Sequence, residues 1–188
     1  MGTSIPTGCA YELDADLRIV SVDPSWSDFA RTNDAPELVP PGPLGKLILA
    51  CIADPASEHL YKRLFETVLR SGRTIVVPIR CDSPTQRRFL ELKIERREPA
   101  GLRIVTSLTR VEPRPAVALV DRRATHGDER LRMCGWCKSV DVGGRWCEVE
   151  EAVRAMGLFQ REVMPAVTHG ICPACYERVI ALIDESPP

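Results

Sequence analysis

"VTHGICPACY", residues 167–176, holds two cysteines two residues apart, Cys172 and Cys175, with Pro173 between them and His169 just upstream. A C-x-x-C pair alone fits a redox couple, half of a metal site or buried core thiols. The stretch "MCGWCKSV", residues 133–140, narrows the choice by supplying a second pair, Cys134 and Cys137. Two intervening residues let the chain turn as a tight knuckle with both sulfurs facing one ion. Two knuckles then complete a tetrahedron.

The surroundings agree with a metal site. After the first pair, "KSVDVGGRW" predicts a hairpin turning at Gly143 and Gly144. The second pair opens an apolar-periodic helix, "CPACYERVIALIDE", with Pro173 in its first turn. A helix N-terminus favours negative charge, and so thiolate at Cys172 and Cys175. Knuckle, hairpin and ligand-bearing helix make a treble-clef-like plan, with a further helix, "EVEEAVRAMG", set between hairpin and second pair. Four thiolates suit tetrahedral Zn²⁺, and a closed four-sulfur site is structural because no position stays open to water. The metal ligands expected are therefore Cys134, Cys137, Cys172 and Cys175. A disulfide couple and an iron–sulfur cluster are the alternatives. His169 reads as a residue supporting a thiolate, or as a replacement ligand. Cys147, beside Trp146, reads as buried.

The sequence before residue 113 predicts an α+β unit. "AYELD" and "LRIVSVD" are short strands around a turn at Asp14 to Asp16. Asp23-Pro24 and Asp54-Pro55 each give a cap followed by a first-turn proline. The second opens a longer helix with Leu60, Tyr61, Leu64, Phe65, Val68 and Leu69 on its apolar face and Gly72 as C-cap. Three alternating strands follow: Ile75, Val77, Ile79 and Cys81 share a face of the first, and Leu90, Leu92 and Ile94 a face of the second. "CDSPTQRR", residues 81–88, could be a phosphate site through Arg87 and Arg88, but reads more simply as a hairpin loop with solvated arginines.

This order over residues 9–112, entered by "ELDADLRIVSVDPSW" and closed by the three-strand meander, resembles a PAS domain. The resemblance implies a five-stranded antiparallel sheet with helices on one face, and a unit of a class that senses ligands, cofactors or redox state and dimerises. Residues 113–130 read as a connector whose second half is an exposed linker, and residues 131–186 as the zinc module. That module resembles one found after PAS or receiver domains in bacterial signalling proteins, through Cys134, Cys137, Lys138, Trp146, Thr168, His169, Gly170, Ile171, Cys172, Pro173 and Cys175. This second resemblance implies a signalling context, not a reaction.

Charge narrows the functions. Lys and Arg number 25 against 26 Asp and Glu. That balance gives no electrostatic reason to expect nucleic acid or a membrane surface as partner. No apolar run approaches the roughly 20 residues that span a bilayer. Residues 1–14 lack the basic and apolar regions of a signal peptide, and Pro6 takes the place a myristoylation motif gives to Ser or Thr. A cytoplasmic location with reduced cysteines is expected. No phosphate loop, kinase signature or nucleophile-base order is present, so an enzyme is not expected.

The reading is a bacterial sensor or adaptor that works as a homodimer through its PAS-like unit and with a protein partner. The alternatives are a thiol or zinc redox sensor and a haem- or flavin-binding sensor. The haem candidate, His59, has polar helical neighbours in Lys62 and Arg63, so it reads as solvated. Trp26, Phe29 and Phe65 could line a ligand pocket, and Cys81 reads as packed.

Overall fold

A computed structural model describes residues 8–32, 35–121 and 123–185. Residues 1–7 of the stretch read for a leader or lipidation lie outside them, as do position 122 of the connector and residue 186 of the module.

Strands β1 (Gly8–Leu13) and β2 (Ile19–Val22) form an antiparallel pair. At their turn, Asp14 Oδ1 accepts the backbone N–H groups of Asp16 and Arg18. Helix α1 (Pro24–Thr32) starts where Asp23 Oδ1 accepts the Trp26 N–H at 2.9 Å. Helix α2 (Pro55–Ser71) is capped by Asp54, which accepts from Ser57 N at 2.8 Å, and ends at Gly72 with φ 70°. A residue with a Cβ adopts that left-handed conformation only at a cost. Strands β3 (Ile75–Arg80), β4 (Gln86–Arg96) and β5 (Leu102–Pro113) complete a five-stranded sheet in the order β2-β1-β5-β4-β3. Every pairing in it is antiparallel. Leu60, Leu64, Phe65 and Val68 of α2 bury against Leu13, Val77, Ile94 and Ile104 of the sheet. The caps and alternation read from the sequence account for this half.

Part of the stretch read as a connector is regular structure. Residues Ala118–Val120 make a 3-10 turn with Leu119 buried, and strand β6 (His126–Cys134) begins inside the segment read as an exposed linker. Its polar side chains do face solvent, but its backbone is paired, in parallel, with β9 (Met164–Gly170). Between them lie the hairpin β7 (Val140–Val142) and β8 (Arg145–Cys147), turning at Gly143 and Gly144 with φ 61° and 89°, and helix α3 (Val149–Ala155). The second sheet has the order β8-β7-β6-β9. The expected treble-clef-like plan is thus extended by α3 and by a strand. Helix α4 (Pro173–Asp184) follows β9 directly.

Both parts share one core. Cys134, Trp136, Ile171, Cys172, Cys175, Val179 and Ile183 belong to the same apolar cluster as α2 and the first sheet. Helices α2 and α4 are joined at their flanks by Arg63 to Asp184 at 3.1 Å, and by Arg73 donating to the Leu182 and Glu185 carbonyls. Among the described residues, no helix is long and apolar enough to cross a membrane.

Candidate metal centre

Cys134 ends β6, and Cys137 lies past a turn closed by the Lys138 N–H on the Cys134 carbonyl at 3.0 Å. Lys138 takes φ 65° to complete the knuckle. The Cys134 N–H bonds the Ser139 carbonyl at 2.8 Å, and the Gly135 N–H bonds the Gly170 carbonyl at 2.8 Å. The second bond pins the first knuckle to the end of β9, immediately before the second pair. Cys172 then serves as N-cap of α4: its Sγ accepts the Cys175 N–H at 3.4 Å, with Pro173 in the first turn. The helix thus begins with its N–H groups and dipole directed at the sulfurs.

These constraints bring together the four cysteines expected from the spacing. Their Sγ atoms all lie within 4.8 Å of one another, and Cys137 Sγ is 3.7 Å from Cys172 Sγ. A tetrahedron with metal–sulfur bonds of about 2.3 Å has edges of about 3.8 Å. The donor set therefore fits a metal ion. Cys134, Cys172 and Cys175 are buried, and Cys137 is half-buried with Ser139 Oγ at 3.2 Å.

Four thiols this close cannot all ionise unless a cation sits among them. Hydrogen bonds from Cys134 and Cys175 hold Cys137 well below the ordinary thiol range. Cys172 is pushed up to about 11, chiefly by burial. Cys175 is pushed up because its own proton serves Cys134 and Cys137. A cation among the sulfurs replaces those shared protons with a single central charge.

The neighbours divide as the chain folds. Trp136, inside the first knuckle, is 3% exposed. Its ring lies 4.9 Å from that of Tyr61 on α2, and its carbonyl accepts the Arg80 N–H at the end of β3 at 2.7 Å. The knuckle is therefore seated on both the helix and the sheet of the first part. Cys147 is buried in the other apolar cluster, apart from the four sulfurs. His169 lies on β9 opposite Met133, outside the sulfur cluster. Desolvation and the Lys138 ammonium hold its imidazole below the usual histidine range. His59 is exposed on α2. Phe65 is core, and Trp26 packs edge-on against Tyr11 at 5.3 Å.

The stretch "CDSPTQRR" does form the hairpin connection from β3 into β4, but its arginines are not solvated. Arg88 is 9% exposed, and Arg80 and Arg114 are 8% exposed. Asp82, with its side chain 1% exposed, holds Arg80 at 2.5 Å and Arg114 at 3.2 Å. Glu148 and Glu150, at the start of α3, close the group from the second part, on Arg80 at 2.7 Å and on Arg87 at 2.8 Å. Burial opposes the charge of Glu150, yet its own backbone N–H, Arg87 and Arg114 hold its carboxyl below the ordinary range. The sequence carries little sign of this network. Strand alternation places Arg80 on the outer face with the exposed Val76 and Pro78, and only the second part, folding over that end of β3, buries it.

No protein-family model matches the chain. No curated protein matches it either. Among solved structures, it is similar to a domain of an HTR-like protein from Haloarcula marismortui ATCC 43049, at 14% identity and a TM-score of 0.38. That match covers 55% of this chain and 98% of the other. The likeness is too weak to assign a family.

Proposed function

We propose that the chain is a cytoplasmic signalling protein of bacterial type, a non-enzymatic sensor or adaptor in which a PAS-like unit is joined to a structural zinc module. Zinc is favoured because four thiolates in a closed tetrahedral site suit it and leave no position for a reacting water. The PAS-like reading is supported by the five-stranded antiparallel sheet with α2 packed on it. One observation carries the proposal: the four sulfurs lie in the core that both parts share, with Trp136 set against Tyr61. Metal occupancy and the packing of α2 are then linked, as a relay between a sensing unit and an output surface requires. The working form in this reading is a homodimer that meets a protein partner.

The test is metal content, absorption spectrum and light-scattering mass on one purified sample. One zinc per chain, no visible chromophore and a dimeric mass are expected. A haem, flavin or iron–sulfur spectrum would replace this reading with that of a cofactor-bearing sensor.

A thiol-redox role is the second reading. It is favoured by the half-buried Cys137, whose Sγ is 3.7 Å from that of Cys172. Hydrogen peroxide would take two electrons from the two thiolates and, with two protons from solvent, leave a disulfide, two waters and a zinc ion released from the broken site. Zinc retention at peroxide doses that oxidise ordinary regulatory thiols would eliminate it.

A further inference from the structure

A cleft of about 780 Å³ opens along the seam between the two parts, within the range of small-molecule sites. Its walls include Arg88 and Asp82 from the first part, and Leu119, His126, Lys138 and His169 from the segments beyond β5. The charges in this cleft do not cancel. Asp82 is taken by Arg80 and Arg114. Asp121, also on the wall, is turned to its own loop, where Oδ1 accepts the Arg123 N–H at 2.9 Å.

Arg88 is the unusual member. Its Nε donates to the Cys81 carbonyl at 2.6 Å, and its Nη2 lies 3.8 Å from Cys81 Sγ. Among the described residues no carboxylate pairs with its guanidinium, although the residue is 9% exposed. Its bonds go to neutral groups, so a positive charge partly screened from water keeps the capacity to take an added anion. Lys138 brings a second cation to the same cleft, with its Nζ on the Gly135 carbonyl at 2.9 Å rather than on an acid. His126 and His169 add imidazole hydrogen-bonding groups.

We infer that this seam cleft binds a small anion carrying phosphate or carboxylate groups, with the Arg88 guanidinium as its main anchor and Lys138 as its second cation. Guanidinium presents planar paired donors that match both groups. The bound anion would bridge the first sheet and the metal knuckle, since Lys138 follows Cys137 directly. The site rests on Arg88 and the shape of the seam. It does not depend on the identity of the metal or on the signalling role.

The test is calorimetric titration of the full-length, metal-loaded protein with inorganic phosphate and, separately, with succinate, at constant ionic strength. Saturable binding of either probe is expected, and the tighter one identifies the anionic group. Arg88→Met should weaken it by at least roughly tenfold, the loss of one charge-assisted partner. Arg88→Lys should fall between. Ala166→Glu places a carboxylate on the cleft wall without touching Arg88 and should abolish binding, so a folding defect at position 88 does not leave the question open. Failure of both probes to bind saturably, or binding unchanged in Arg88→Lys and Ala166→Glu, overturns the inference.

Discussion

Replacing Asp82 by Asn should reveal how much the buried arginine network contributes to stability. The Asp82 carboxylate is 1% exposed. It receives Arg80 Nη2 at 2.5 Å, Arg80 Nε at 3.2 Å and Arg114 Nη1 at 3.2 Å. Asn keeps the shape but removes the charge, leaving two buried guanidinium groups short of their central partner. Removing one partner from a buried pair costs about 3–5 kcal/mol. Arg80 retains Glu148 at 2.7 Å, and Arg114 retains the Ser83 carbonyl at 2.7 Å. The lower end, about 3 kcal/mol, is therefore expected. For a chain of this length that corresponds to a fall in Tm of roughly 6–12 °C. Urea unfolding of the metal-loaded protein, followed by circular dichroism, gives the free energy directly. Glu148→Gln is the control. Its side chain is 46% exposed, so solvent screens its pairing and the expected loss is under about 1 kcal/mol. If Asp82→Asn costs no more than Glu148→Gln, the buried carboxylate is not the centre of the network's stability.

Trp136→Ala should cost about 3–5 kcal/mol by unfolding, because a buried ring seated on Tyr61 leaves a cavity. Trp136→Phe should cost about 1.5 kcal/mol or less if Phe fills most of that space. Glu150 has a depressed carboxyl pKa in the fold, so its stabilisation is present above the unfolded value and is lost as pH falls through the folded one. A stability profile from pH 7 downward should therefore fall less steeply in Glu150→Gln than in the parent chain. Cys175→Ser should lose the metal, which mass spectrometry under native conditions reads. It should also expose Trp136 to water, seen as a red shift in tryptophan emission.

Much of the first part was legible because its signals are local. Asp23, Asp54 and Gly72 act at the helix ends where their residue types place them. The cysteine spacing was legible for the same reason: a knuckle closes within four residues. The parallel pairing of β6 with β9 was not. His126 to Arg130 is polar on nearly every side chain, and the pairing joins segments more than thirty residues apart. The arginine network was hidden likewise. Arg80 and Glu148 are 68 positions apart, and nothing in "CDSPTQRR" distinguishes a solvated arginine from one buried by a later segment. Local chemistry determines caps, turns and knuckles; burial of a charge depends on what folds over it.

The central claim is that four cysteines hold one structural zinc in the core shared by both parts. X-ray absorption at the zinc edge of purified full-length protein, with metal stoichiometry on the same sample, tests it most directly. The account predicts one zinc per chain with four sulfur neighbours at about 2.3 Å and no oxygen neighbour. A metal-free protein with reduced thiols, or a shell of fewer than four sulfurs, would contradict it.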